Sequence, residues 1–251
     1  MIRAALLMLL LALPARAEQA GPFHTEAGVA ARDGGAVGAL VWLHPYYTEG
    51  DPPPPPAWAQ RMAARGWDLW RHDWLVARQR SPQSGPRNPN ALTGGVEALA
   101  QGSAALRARG YRRVVLLGES RGAFMALAAL REAGLADAVL LASPAAHGTR
   151  VERRPQALAD FRAALERANP RATGRIALLQ FAEDHYNPDP ALRAAWFRAA
   201  VARLGWAGLL VDQPAAPTGH GGVQDEDFDP IFGGCLAAFL DFDRAPPATC
   251  P

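Results

Sequence analysis

The stretch from Arg112 to Met125, Arg-Arg-Val-Val-Leu-Leu-Gly-Glu-Ser-Arg-Gly-Ala-Phe-Met, leaves few folds open to this chain. The apolar run Val114–Leu117 has the length and branching of a buried strand. It passes straight into Gly118-Glu119-Ser120-Arg121-Gly122 and then into an Ala/Leu-rich helix former. A strand that turns into a helix within so few residues brings the two backbones too close for side chains. That predicts glycines on either side of the turn and a serine hydroxyl held clear of the sheet, beside the N–H groups and positive dipole end of the helix. The chain has only five serines, so one between paired glycines in this context is unlike an ordinary turn.

The same alternation runs along the chain. Strands are predicted over 37–43, 67–73, 114–117, 138–142, 175–181 and 208–211. Helices are predicted over 57–65, 95–109, from the turn to 133, over 155–168, 190–204 and 229–241. A short strand and turn are expected at 29–35 and a long loop at 77–93. Strands alternating with helices imply an α/β fold with a mostly parallel sheet covered on both faces. In such sheets the functional end lies at the carboxyl ends of the strands. His44, His72, Ser120, Ser143, Asp184 and His220 all fall at or just beyond such ends. The insert between the strands at Leu141 and Ile176 has room for about one helix, so no large cap is expected.

The N-terminus reads as a targeting segment. Arg3 precedes the apolar run Ala4–Leu13, and Ala15-Arg16-Ala17 follows. These are the parts of a secretory signal peptide over 1–17, ahead of one domain over 18–251. The apolar run falls short of the roughly 20 residues that span a bilayer, so no stable membrane insertion is expected. Cleavage after Ala17 removes Arg3 and Arg16 and leaves 24 basic residues against 24 acidic ones. A neutral mature chain gives no reason to expect a nucleic-acid partner. Cys235 and Cys250 are the only cysteines, and in an exported protein an even count predicts a disulfide. No metal-ligand cluster or phosphate-binding loop is present, so no cofactor is expected.

Gly118-Glu119-Ser120-Arg121-Gly122, the acid turn at Asp184 and the late Gly219-His220-Gly221 together resemble the α/β-hydrolase family. The order Ser, Asp, His is the family's order. The resemblance runs from about Ala39 to Phe242 and implies a three-layer fold. The short insert is similar to that of lidless members of the dienelactone-hydrolase and lipase type. It implies Ser120 as nucleophile, His220 as base and Asp184 as the acid that orients it, with Glu183, Asp189 and Asp212 as rivals for the acid. It also implies an oxyanion hole built from the backbone N–H groups of Arg121 and Tyr46. The family usually has His-Gly after its third strand, whereas this chain has His44-Pro45. Proline has no N–H, so the donor moves to Tyr46, and His44 is expected to be structural. Phe181 stands where the family often has glycine. The Arg121 side chain is expected either to bind a substrate carboxylate or to pair with an acid such as Asp73.

Tyr46, Tyr47 and Tyr186 fall on loops at the functional end and are expected to line a substrate pocket. Trp67 and Trp70 lie in a strand and are expected in the core. The expectation is therefore an exported, periplasmic or secreted, serine esterase acting on small-molecule esters through an acyl-enzyme. The alternatives are a serine peptidase or amidase on the same fold, and a binding protein that keeps the fold without the chemistry.

Overall fold

The computed structural model describes residues 17–26, 29–47, 51–74 and 90–250, with side chains from 95 onward in the last stretch. The expected signal peptide, apart from Ala17, and most of the expected 77–93 loop lie outside the described residues.

Two short antiparallel strands open the chain, β1 (Gln19–Ala20) and β2 (Phe23–His24). They are followed by β3 (Gly38–Leu43), helix α1 (Ala57–Ala64), β4 (Trp67–Arg71) and helix α2 (Asn90–Ala108). Next come β5 (Val114–Glu119), α3 (Arg121–Ala129) and β6 (Ala138–Ala142), then α4 (Arg154–Glu166) and β7 (Arg175–Gln180). The chain closes with α5 (Pro190–Leu204), β8 (Ala207–Asp212) and α6 (Gly234–Phe239). The strands form one sheet in the order β1-β2-β4-β3-β5-β6-β7-β8, parallel from β4 to β8. The segment between β6 and β7 carries one α-helix, α4, preceded by a 3-10 turn at Val151–Arg153.

The period-2 pleat divides the apolar strand residues between two cores. Val41, Leu43, Val114, Leu116, Val139, Leu141, Ile176 and Leu178 face one side, where α2 to α5 pack. Leu40, Trp42, Val115, Leu117, Leu140, Ala177 and Leu179 face the other, against α1 and α6. Helices on both faces of a parallel sheet bury every strand in between, which is why those strands read as unbroken apolar runs. Trp67 and Trp70 are both buried.

Three expectations need correction. The strand expected over 29–32 is absent. The N–H groups of Arg32 and Asp33 donate instead to the Asp68 carboxylate, at 2.6 and 3.2 Å, and Asp33–Gly35 forms a 3-10 turn. Helix α2 starts at Asn90, so Gly95 lies inside it. A Cβ there would sit 2.3 Å from the Met125 sulfur, and one at Gly102 would sit 2.4 Å from the Phe23 ring. These glycines let α2 pack closely on its neighbours. The helix expected over 229–241 begins with a π-helical turn, Asp229–Gly233, and its α-helical part ends at Phe239. The Asp229 carboxylate, paired with Arg61, occupies the space that a Cβ on Gly233 would need.

Cys235 and Cys250 are disulfide-bonded, with 5.7 Å between their Cα atoms. The buried Arg175 guanidinium holds the same tail, donating to the carbonyls of Phe239, Asp241 and Arg244. Among the described residues no helix is long and apolar enough to cross a membrane.

Candidate active site

Strand β5 ends at Glu119 and α3 begins at Arg121, so Ser120 is the whole turn. Its backbone sits at φ 52°, ψ −114°, where L-residues are rare and which costs on the order of 1–3 kcal/mol. Three backbone bonds hold it there. The Ser120 N–H donates to Ala142 at 2.9 Å, and its carbonyl accepts from Phe124 and Ala145, both at 3.0 Å. The flanking glycines are sterically required. A Cβ on Gly118 would lie 2.6 Å from the Ala123 backbone, and one on Gly122 would lie 2.1 Å from the Leu43 carbonyl oxygen. The second contact also presses the end of β3, and with it the loop from His44 to Tyr47, against the first turn of α3.

Two later strands deliver the partners. Asp184 follows β7, and His220 follows β8 in a loop fixed by a bond from Gly219 N–H to the Ala182 carbonyl at 2.7 Å. His220 Nε2 lies 2.7 Å from Ser120 Oγ, and His220 Nδ1 lies 2.8 Å from Asp184 Oδ1. With the carboxylate ionised, Nδ1 carries the proton and donates to it, leaving Nε2 to accept from the serine hydroxyl. Asp184 Oδ1 also accepts from the Tyr186 N–H at 2.9 Å. The three sequence-predicted residues thus form one continuous hydrogen-bonded chain.

The rival acids have other occupations. Asp189 caps α5 through the Leu192 N–H. Asp212 accepts from Gln180 and Arg198. Glu183 is exposed on a residue of positive φ. Phe181, the bulky residue at the glycine-like position, is accommodated by a glycine elsewhere. A Cβ on Gly222 would meet the Phe181 ring at 2.5 Å, so Gly222 yields the space that Phe181 fills. The histidine loop therefore packs on a ring instead of on backbone.

Arg193 was not anticipated. It lies on the inner stripe of α5 with Phe197, Ala200 and Leu204, and it is 2% exposed. Its guanidinium donates to Asn187 Oδ1 and, at 2.7 Å, to the Pro144 carbonyl, and it lies 4.1 Å over the Phe161 ring. Asn187 in turn donates to Gln180, and its N–H bonds the Asp184 carbonyl. Burial pushes the guanidinium down to about 9 and the Asp184 carboxylate pulls the other way, so it stays charged at neutral pH. Asp184 Oδ2 is buried with no hydrogen-bond donor among the described residues. An arginine on the apolar stripe of a predicted helix was the available signal.

His44 and His72 are structural. His44 is fully buried, stacked on Trp74 with centroids 5.2 Å apart, and its ring Nδ1 lies 2.7 Å from the Pro45 carbonyl. Tyr47 packs edge-on to His44, against the core. Tyr47 is therefore occupied on its inner side, whereas Tyr46 and Tyr186 are 44% and 40% exposed at the functional end. Asp73 is paired with His24, and the Arg121 guanidinium donates to the Ala146 carbonyl at 2.6 Å. Glu119, next to the serine, is buried and accepts from Gln224 at 3.0 Å. Burial raises its carboxyl above the usual range, against the opposing pull of that hydrogen bond and of His220.

Burial also pushes His72 down to about 4. The unfolded chain takes up that proton near 6.5, so stability that is complete above 6.5 is lost as pH falls through 4. Wild type should lose about 3 kcal/mol more than His72→Gln between pH 7 and pH 4. Urea unfolding at the two pH values measures the difference, and parallel losses would contradict the assignment.

Among the described residues no group of three or more His, Cys, Asp or Glu side chains could hold a metal ion. No protein-family model matches the sequence. No curated protein matches it either. Solved structures do match. Brefeldin A esterase, a bacterial homologue of human hormone sensitive lipase, aligns with a TM-score of 0.53 at 17% identity, over 83% of this chain and 67% of its own. Esterase B of Lactobacillus rhamnosis HN001 aligns at 0.57 and 13% identity, over 88% and 79%. The chain has the α/β-hydrolase fold. An acylaminoacyl peptidase of Pyrococcus horikoshii aligns at 0.57 and 13% identity over 90% of this chain, which spans 40% of that protein's length. Within the α/β-hydrolase fold, Ser120, Asp184 and His220 occupy the turns after β5, β7 and β8.

Proposed function

We propose that this protein is an exported serine hydrolase that cleaves carboxylic esters through an acyl-enzyme, with Ser120, His220 and Asp184 as its triad. The carrying observation is the chain Ser120 Oγ–His220 Nε2 at 2.7 Å and His220 Nδ1–Asp184 Oδ1 at 2.8 Å. A serine hydroxyl is a poor nucleophile until a base within hydrogen-bond reach takes its proton. In the first step Ser120 Oγ attacks the ester carbonyl carbon while His220 takes the hydroxyl proton. The developing oxyanion is received by the backbone N–H groups of Arg121 and Tyr46, each such donor being worth on the order of 3 kcal/mol. The tetrahedral intermediate collapses, the ester C–O bond breaks, and His220 returns its proton to the leaving alkoxide. Water then enters, activated by His220 in the same way, and releases the acid and free Ser120. Asp184 holds the imidazole in the needed tautomer and stabilises the imidazolium.

The short segment between β6 and β7 supports an open site that admits small esters, with Tyr46 and Tyr186 as its exposed aromatic walls. Export is supported by the basic, apolar and Ala-x-Ala pattern of 1–17 and by the Cys235–Cys250 bond. A peptidase or amidase would use the same triad, and the likeness to the acylaminoacyl peptidase keeps that reading as the alternative. Steady-state rates on a panel of p-nitrophenyl esters of rising acyl length and on matched p-nitroanilides decide between them. Esters are expected to turn over and anilides to lag far behind. Faster anilide cleavage would favour the peptidase reading, and turnover of neither would reject both.

A further inference from the structure

The ring of Tyr186 lies on the imidazole of His220, with centroids 4.2 Å apart and planes 28° from parallel. Two features make this contact more than chance packing. First, the residues on either side of His220 leave open space beside the loop. Gly219 and Gly221 flank His220, Gly219 has φ +82°, and neither glycine's Cβ direction meets an atom within 4 Å. Second, Tyr186 is tied to the acid through its backbone, because its N–H and His220 Nδ1 converge on the same oxygen, Asp184 Oδ1. Turn, acid, imidazole and ring therefore form one unit. The tyrosine is 40% exposed, so one side of it faces solvent while the other covers the imidazole.

We infer that Tyr186 is a positioning residue for His220, whose ring face keeps the imidazole in register with Asp184 and Ser120 and stabilises the imidazolium that forms when Ser120 is attacking. This rests on the triad reading above. The negative face of an aromatic ring attracts a cation stacked on it, an effect worth about 0.5–1 kcal/mol at partly exposed sites. The neutral imidazole gains far less, so the contact is stronger in the transition state than in the resting enzyme, which is the condition for raising kcat. The other titratable or charged groups that bear on the imidazole are Asp184 at Nδ1, Glu119 beside the serine, and Arg193 beyond Asp184. The ring, not the hydroxyl, carries the argument.

The test compares wild type with Tyr186→Phe, Tyr186→Trp and Tyr186→Leu on p-nitrophenyl acetate across pH, with fluorophosphonate labelling of each. Phe and Trp are expected within about twofold of wild type. Leu is expected to lose about fivefold in kcat with KM nearly unchanged, and its acid limb in kcat is expected to move down by about half a pH unit. A Leu variant with normal kcat and raised KM would make Tyr186 a pocket wall alone, with no part in positioning His220, and overturn the inference. So would an acid limb that stays or moves up, or a Phe variant as impaired as Leu. Wild type that fails to label would instead reject the triad reading itself, a result distinguishable from any difference among the variants.

Discussion

Replacing His220 with alanine is expected to lower kcat on an activated ester by about 10⁶-fold, as it does where serine, base and acid act as one unit. The reason is geometric. Among the described residues His220 Nε2 is the group that lies at 2.7 Å from Ser120 Oγ with a lone pair to take its proton. Glu119 is next in the chain, but its carboxylate is engaged by Gln224 and burial favours its neutral form, so it is a poor substitute base. Asp184→Asn should cost about 10⁴-fold and leave measurable turnover. The amide keeps the shape of the turn but presents a donor where Nδ1–H needs an acceptor, which turns the imidazole to the wrong tautomer. Steady-state kinetics on a short p-nitrophenyl ester measures both losses. An Asp184→Asn enzyme as active as wild type would move the acid to another residue.

Arg193→Met should destabilise the fold by about 2–5 kcal/mol, since each buried acceptor left without its donor costs about 1–3 kcal/mol. The substitution keeps the approximate length of the side chain and removes its charge and donors. Asn187 Oδ1 and the Pro144 carbonyl then lose their donor. Asn187, whose N–H bonds the Asp184 carbonyl, loses the side-chain bond that seats the acid turn. Turnover should therefore fall along with stability. The urea midpoint reads the first effect and kcat at pH 7 under native conditions the second. A variant with wild-type midpoint and wild-type kcat would mean that Arg193 is packing alone.

The strand-turn-helix at Ser120 was legible because its chemistry is local. Glycines 118 and 122 are dictated by backbone contacts within the turn and with the adjacent strand, and such contacts leave a signature in sequence. The order of strands and helices was legible for a related reason. Strands buried on both faces read as apolar runs, and Ala138–Ala142 and Pro190–Leu204 fall within the bounds that their composition implies. Features set by distant side chains were not legible. The 29–32 segment has the residues of a strand, but its N–H groups are taken by Asp68, 36 residues away in the case of Arg32. Helix α2 contains glycines that argue against a helix interior until Met125 and Phe23 are seen to fill their places. Phe181 looked like a departure from the family pattern, and its compensation at Gly222 lies on another strand's loop. Arg193 broke the apolar stripe of α5, and only the tertiary structure shows that it faces the acid turn. Tyr186 was expected on the rim of the site, and its stacking on His220 depends on how two separate loops meet.

Covalent labelling of Ser120 tests the central claim most directly. The purified protein is treated with a fluorophosphonate, and intact-mass and peptide mass spectrometry locate the adduct. Wild type is predicted to gain one adduct per chain on the peptide containing Ser120, Ser120→Ala to gain none, and His220→Ala to label far more slowly. A folded wild-type protein that gains no adduct, or one that labels equally well after Ser120→Ala, would contradict the account.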